Sequence, residues 1–145
     1  MILPDVNVYL HAFREASPDH ARYRQWLTAA FAADEPVAVV DIVMSGFVRI
    51  ATHPRVFDPP ATLGAAFEFA KAVRAQPSAI AVNPGARHWS IVEKLCVSTS
   101  AKGNLVPDAY LAALAIEQGA ELISADRDFA RFSGLRWRHP LEPHT

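Results

Sequence analysis

Short apolar runs rich in β-branched residues alternate along this chain with longer segments of helical spacing. The runs fall at residues 1–3, 37–40, 79–82 and 122–124, with a fifth at 135–138. Between them apolar positions recur every three to four residues and alanine is frequent, the pattern of amphipathic helices. Parallel strands need long crossovers, so strands separated by helical segments close into βαβ units. The expected fold is α/β: a central parallel sheet of four to five strands flanked by helices.

Punctuation supports the helices. Ser17-Pro18-Asp19 opens one that carries Tyr23, Trp26, Leu27, Ala30 and Phe31 and stops before Pro36. Asp41 is placed to cap a second, through Met44, Phe47, Val48 and Ala51, ending by His53-Pro54. Residues 62–73 form a third and residues 87–95 a shorter one. Pro107-Asp108 fits the first turn of a helix that ends at Gly119. A turn or two is expected at 128–132, and loops at 59–60 and 98–104.

The chain has 145 residues, which suits one domain over 1–145. No apolar stretch approaches the ~20 residues that span a bilayer. No basic segment precedes the first apolar run, so no signal peptide is expected. Cys96 is the only cysteine, which excludes an intramolecular disulfide and fits a reducing cytoplasm. Net charge is −1 with pI near 6.6, without the excess of base usual in a nucleic-acid binder. His11, His20, His53, His88, His139 and His144 are scattered, with no zinc-ligand spacing. No glycine-rich phosphate loop, dinucleotide fingerprint or nucleophile elbow is present.

The residues that carry chemistry are acids. Asp5 follows the first apolar run and Asp41 the second. Asp108 sits at a helix start, and Asp126 follows the fourth run with Asp128 beside it. Each has a structural reading as a helix cap, a first-turn acid or a turn device. Jointly they have another. The carboxyl ends of parallel strands face one crevice, and carboxylates gathered there repel one another until a cation or proton joins them. Oxygen ligands of this kind suit Mg²⁺ and point to phosphodiester chemistry. Asn7 is placed to hydrogen-bond the Asp5 carboxylate or a bound water.

Leu3-Pro4-Asp5-Val6-Asn7, Gly46-Phe47-Val48-Arg49-Ile50 with Thr52-His53-Pro54-Arg55, Pro107-Asp108-Ala109-Tyr110-Leu111-Ala112-Ala113 and Ser124-Ala125-Asp126-Arg127-Asp128-Phe129 together resemble the PIN-domain proteins. More narrowly, they resemble the VapC-type toxins of mycobacterial VapBC toxin–antitoxin pairs. The likeness covers nearly the whole chain. It implies a three-layer α/β/α fold and a Mg²⁺-dependent endoribonuclease, with Mn²⁺ able to substitute. It also implies a homodimer, a transfer or ribosomal RNA substrate, and a VapB-type antitoxin that occludes the site. Asp5, Asp108 and Asp126 match the family's acids, with Asp128 a frequent addition. The remaining acid aligns with Met44, and Asp41, one helical turn back on the same face, is expected to supply that carboxylate instead. Arg49 and Arg55 are expected to contact substrate phosphates, with Asn7 beside them. The helices over 62–73 and 23–31 offer a groove for an amphipathic partner helix.

Two other readings compete. A receiver-like or phosphatase-like α/β domain would bring a lysine to the acids, but Lys71, Lys94 and Lys102 follow no strand-like run. A PIN-like scaffold weakened by Met44 would bind RNA or an antitoxin without cutting.

Overall fold

The computed structural model describes residues 1–143; His144 lies outside them. Five short parallel strands form one sheet: β1 (Ile2–Pro4), β2 (Val37–Val39), β3 (Ala79–Ala81), β4 (Glu121–Ile123) and β5 (Trp137–Arg138). Among the described residues six helices connect and flank them: α1 (Val6–Phe13), α2 (His20–Ala32), α3 (Asp41–Ala51), α4 (Leu63–Arg74), α5 (His88–Thr99) and α6 (Leu105–Gln118). A 3₁₀ turn (Arg127–Arg131) precedes β5. The result is the three-layer α/β/α arrangement that the alternating pattern implies.

Strand order is β3-β2-β1-β4-β5. The chain builds outward from β1 through β2 to β3, then returns to lay β4 against the other side of β1. The order therefore reverses between β1 and β4, and at such a switch point the connections leave a crevice at the carboxyl ends of the strands. The β1–β4 register pairs Ile2 with Glu121, Leu3 with Leu122 and Pro4 with Ile123. Asp5 and Ser124 consequently emerge side by side at the crevice. Pairing of β1 with β2 is shorter, Ile2 with Val37 alone. Pro4 has no N–H with which to extend it.

The inner strands β1 and β2 are apolar and buried on both faces because helices cover both faces, whereas β3 at the sheet edge is partly exposed. Leu3, Val37, Leu122 and Ile123 are fully buried. Of the apolar positions at helical spacing, Tyr23, Leu27 and Phe31 on α2 and Ala66, Ala70 and Val73 on α4 are buried, whereas Leu63 and Phe67, expected on the same face of α4, stand exposed. Phe13, Phe47 and Phe69 meet with ring centroids 5.0–5.2 Å apart and join α1, α3 and α4.

Three boundaries differ from expectation. α5 runs on to Thr99, because Ser98 and Thr99 return their hydroxyls to the Leu95 carbonyl and Ser100 ends the helix in the left-handed region. α6 starts at Leu105, two residues before Pro107, which is tolerated where the first-turn N–H groups have no helical partner. Asp41 does not cap α3. Val40 holds that position and Asp41 is the first helical residue. Thr62 Oγ1 accepts the Ala65 N–H at 3.1 Å and caps α4, whereas Asp19 precedes α2 without a side-chain cap bond. Gly119, at φ +66°, closes α6 in a backbone region that favours glycine.

Candidate active site at the carboxyl ends of β1 and β4

Asp5 leaves β1 and caps α1: its Oδ1 accepts the Val6 N–H at 2.7 Å. Its Oδ2 accepts the Ser124 hydroxyl at 2.9 Å and the Asn7 amide at 3.3 Å. Ser124, fully buried at the end of β4, is the centre of a small network. Its oxygen also accepts Asn7 Nδ2 at 2.9 Å and the Asp126 N–H at 3.0 Å. Asn7 Oδ1 accepts the Ala125 N–H at 3.1 Å. Both ends of the Asn7 amide are therefore used inside the protein. Asn7 braces Asp5, as one of its two expectations held, rather than presenting a free amide to substrate.

Asp126 is locked by its own turn. Its Oδ1 accepts the Asp128 N–H at 2.9 Å, which opens the 3₁₀ turn and leaves Oδ2 uncommitted. Asp108 stands in the first turn of α6, half-buried. Burial pushes its pKa up to about 6, and the negative charges of Asp126, Asp5 and Asp128 add to the rise. Burial also raises Asp5, against the lowering effect of its bonds to Val6 and Ser124, and Asp126 raises it further. Asp5, Asp108, Asp126 and Asp128 thus lie within one another's field.

Asp41 lies elsewhere. It is exposed and paired with Arg74 at 2.6 Å, and it is not among the charges that act on Asp5 or Asp108. Asp41 and Met44 do share a helix face, as their spacing requires. That face looks onto α4, and Met44 is buried in the core. The expectation that Asp41 replaces the acid at Met44 is therefore corrected. The face of α3 that approaches the crevice carries Gly46: a Cβ there would stand 3.0 Å from Val6, next to Asp5. Arg49 lines the α3/α4 groove with Lys71 and Arg74, and the Arg55 N–H is bonded to His53 Nδ1 in the turn after α3. Neither arginine is paired with a crevice carboxylate among the described residues.

The charges of Asp5, Asp126 and Asp128 act on Asp108 at this switch point, and carboxylate oxygens would suit a hard divalent cation there. Among the described residues no group of three or more His, Cys, Asp or Glu side chains is placed to hold a metal ion. That is compatible with Mg²⁺, which keeps several waters and takes one or two carboxylates. Asp5 still has a free lone pair on Oδ1, and Asp126 has its whole Oδ2. Ser124 was not singled out from sequence as a site residue. Its only signal was a polar side chain closing an otherwise apolar strand, two residues before an acid.

A parallel sheet whose switch point gathers carboxylates from β1, α6 and the turn after β4 defines an α/β domain with an acidic crevice. The chain belongs to the PIN domain family, which matches residues 2–135. Within it the relatives are VapC proteins. The chain is 43% identical over 145 residues to Ribonuclease VapC43 of Mycobacterium tuberculosis, covering 100% of this chain and 99% of that one. It is 44% identical over 140 residues to Ribonuclease VapC31 of the same species, covering 97% and 99%. Among solved structures, VapBC2 from Rickettsia felis bound to a promoter DNA fragment superposes with TM-score 0.71 at 16% identity, over 96% of this chain and 98% of that one. Mycobacterium tuberculosis VapC20, described as a Sarcin-Ricin loop cleaving toxin, superposes with TM-score 0.68 at 16% identity, over 94% and 99%. At such identity these last two speak for the fold.

Proposed function

We propose that this protein is a divalent-metal-dependent endoribonuclease, the toxin of a type II toxin–antitoxin pair held inactive by a VapB-type antitoxin. The observation that carries the reading is the convergence of Asp5, Asp108, Asp126 and Asp128 at the switch point, raising the pKa of Asp108 to about 6. Full-length identity of 43% to ribonucleases supports it. Asp5 and Asp108 would be the principal ligands, and Asp126 and Asp128 would orient waters or hold a second ion. Mg²⁺, or Mn²⁺ in its place, would when bound supply a water of lowered pKa and offset charge on the phosphate. Ser124 and Asn7 hold Asp5 in one orientation, so its free lone pair points in one direction. A carboxylate of this cluster would take the proton from the attacking water. Attack by water leaves 5′-phosphate and 3′-hydroxyl ends. The substrate is transfer or ribosomal RNA in the cytoplasm, read as single-stranded loops rather than through a groove. The active form is a homodimer.

The test is cleavage of labelled RNA by the purified protein in Mg²⁺, in Mn²⁺ and in EDTA. Cleavage that needs metal and is lost in Asp108→Asn supports the nuclease. A second reading, a scaffold that binds without cutting, draws on the absence of a carboxylate on the Gly46 face of α3. Binding of RNA or antitoxin with no cleavage in Mn²⁺ favours it.

A further inference from the structure

Two arginines and a histidine from three parts of the chain meet at the segment that follows β5. Arg22, in the first turn of α2, donates Nη2 to the Leu141 carbonyl at 3.3 Å. Arg127, in the turn after β4, pairs with Glu142. His139, just past β5, accepts the Leu141 N–H on Nδ1 at 3.1 Å. Burial lowers the His139 pKa, and the charges of Arg127 and Arg22 lower it further. Positive charges gathered in this way repel one another, as the acids of the crevice do, and an anion relieves them.

Position gives the cluster a role. Arg127 stands between Asp126 and Asp128 in the chain. β5 runs parallel to β4, so His139 leaves the sheet on the crevice side. A groove of about 390 Å³ follows β5 back from His139 past Arg138 and Arg136. The arginines inside it are engaged, Arg138 with Glu121 at 3.2 Å and Arg136 with the Gly119 carbonyl at 2.6 Å. Arg22 and Arg127 are held more loosely. Arg22 faces Asp19 at 3.5 Å, and both it and the Arg127–Glu142 pair lie at the surface, where such contacts exchange readily with water or another anion.

An acidic protein segment would want apolar surface beside the charges. Among the described residues none of the large exposed apolar side chains lies within 19–22, 126–131 or 136–143. A nucleic-acid backbone needs only the charges, and its phosphate oxygens match the paired N–H groups of a guanidinium. A strand with one phosphate at the acids carries its next phosphates to either side, and Arg127 is the cation at that border.

We infer that Arg22 and Arg127, with His139 beside them, form an anion site for a backbone phosphate of RNA flanking the scissile one, and that Glu142 occupies Arg127 until the RNA arrives. The choice of RNA rests on the nuclease reading, to which the site adds a second point of contact for the substrate.

The experiment is binding of a labelled single-stranded RNA to the full chain by fluorescence anisotropy, in EDTA so that metal-dependent cleavage does not intervene, over a series of salt concentrations. The variants are Arg22→Gln, Arg127→Gln, Glu142→Gln and, as a control for lost charge, Lys94→Gln on α5. All four side chains are exposed, so thermal melts should match the parent. Arg22→Gln and Arg127→Gln are each expected to weaken binding by about three- to tenfold at low salt and to reduce the salt slope by about 0.7. Glu142→Gln should tighten binding by about two- to fivefold, and Lys94→Gln should stay within about twofold of the parent. A loss in both arginine variants no larger than that in Lys94→Gln overturns the inference, as does unchanged or weaker binding in Glu142→Gln. Absence of RNA binding by the parent overturns it as well. Loss of affinity for the antitoxin with RNA binding unchanged in Arg127→Gln assigns the cations to a protein partner and overturns it too. Binding that follows the expected pattern, with no cleavage by the parent in Mg²⁺ or Mn²⁺, sinks the nuclease reading and leaves the phosphate site standing.

Discussion

Asp5 takes three hydrogen bonds from its own fold, and that shapes what each substitution should do. Asp5→Asn and Asp108→Asn are each expected to lower RNA cleavage by about 10²-fold or more, measured as initial rate at saturating Mg²⁺. Ser124→Ala removes the hydroxyl shared by Asp5, Asn7 and Asp126. It should cost about 10–100-fold in metal affinity while the carboxylates remain, which calorimetry reads directly. Asp41→Asn should leave cleavage and metal affinity unchanged, since its partner is the exposed Arg74. A surface pair of this kind contributes at most about 1 kcal/mol to stability. Asp108 also sets a pH dependence. Its folded pKa of about 6 lies above the ordinary 3.8, so the folded chain holds this proton more tightly than the unfolded one. Without metal, its contribution to stability is therefore fully present below 3.8 and is lost as pH rises through about 6. Thermal melts in EDTA should show this decline. Metal affinity should move the other way and rise across the same window, because the proton competes with the ion.

At the scale of elements, period and punctuation carried most of the fold. Each expected strand forms within two residues of its predicted limits, because β-branched runs between Gly, Pro and Asp leave little latitude. What a sequence conceals is which way a helix is rotated against its neighbours. Asp41 and Met44 share a face at any rotation, and only packing decides that the face meets α4. Packing is set by the Phe13–Phe47–Phe69 contact and by the close approach of Gly46 to Val6. Phe47→Ala should therefore cost about 3–5 kcal/mol in denaturant melts and loosen α3 against α1. Ser124 was hidden for a related reason: its role depends on the register that sets β4 beside β1, a long-range pairing that local pattern does not encode. Asp5 and Asp126 follow β1 and β4, the strands that flank the switch point, whereas Asp41 also follows a strand but one that lies a place further along the sheet, which local pattern does not reveal.

The whole molecule is nearly neutral, yet it concentrates four acids at one end of its sheet. Such a cluster destabilises the folded chain until a cation enters, so Mg²⁺ should raise the melting temperature more at pH 8 than at pH 5. On the proposed function, side chains separated by more than a hundred residues share one ion. Anomalous scattering from a crystal soaked in Mn²⁺ tests this most directly. The predicted result is a peak within coordination distance of Asp5 and Asp108, with Asp126 facing it. A peak beside Asp41 and Arg74, or none near Asp5 at millimolar Mn²⁺, would contradict it.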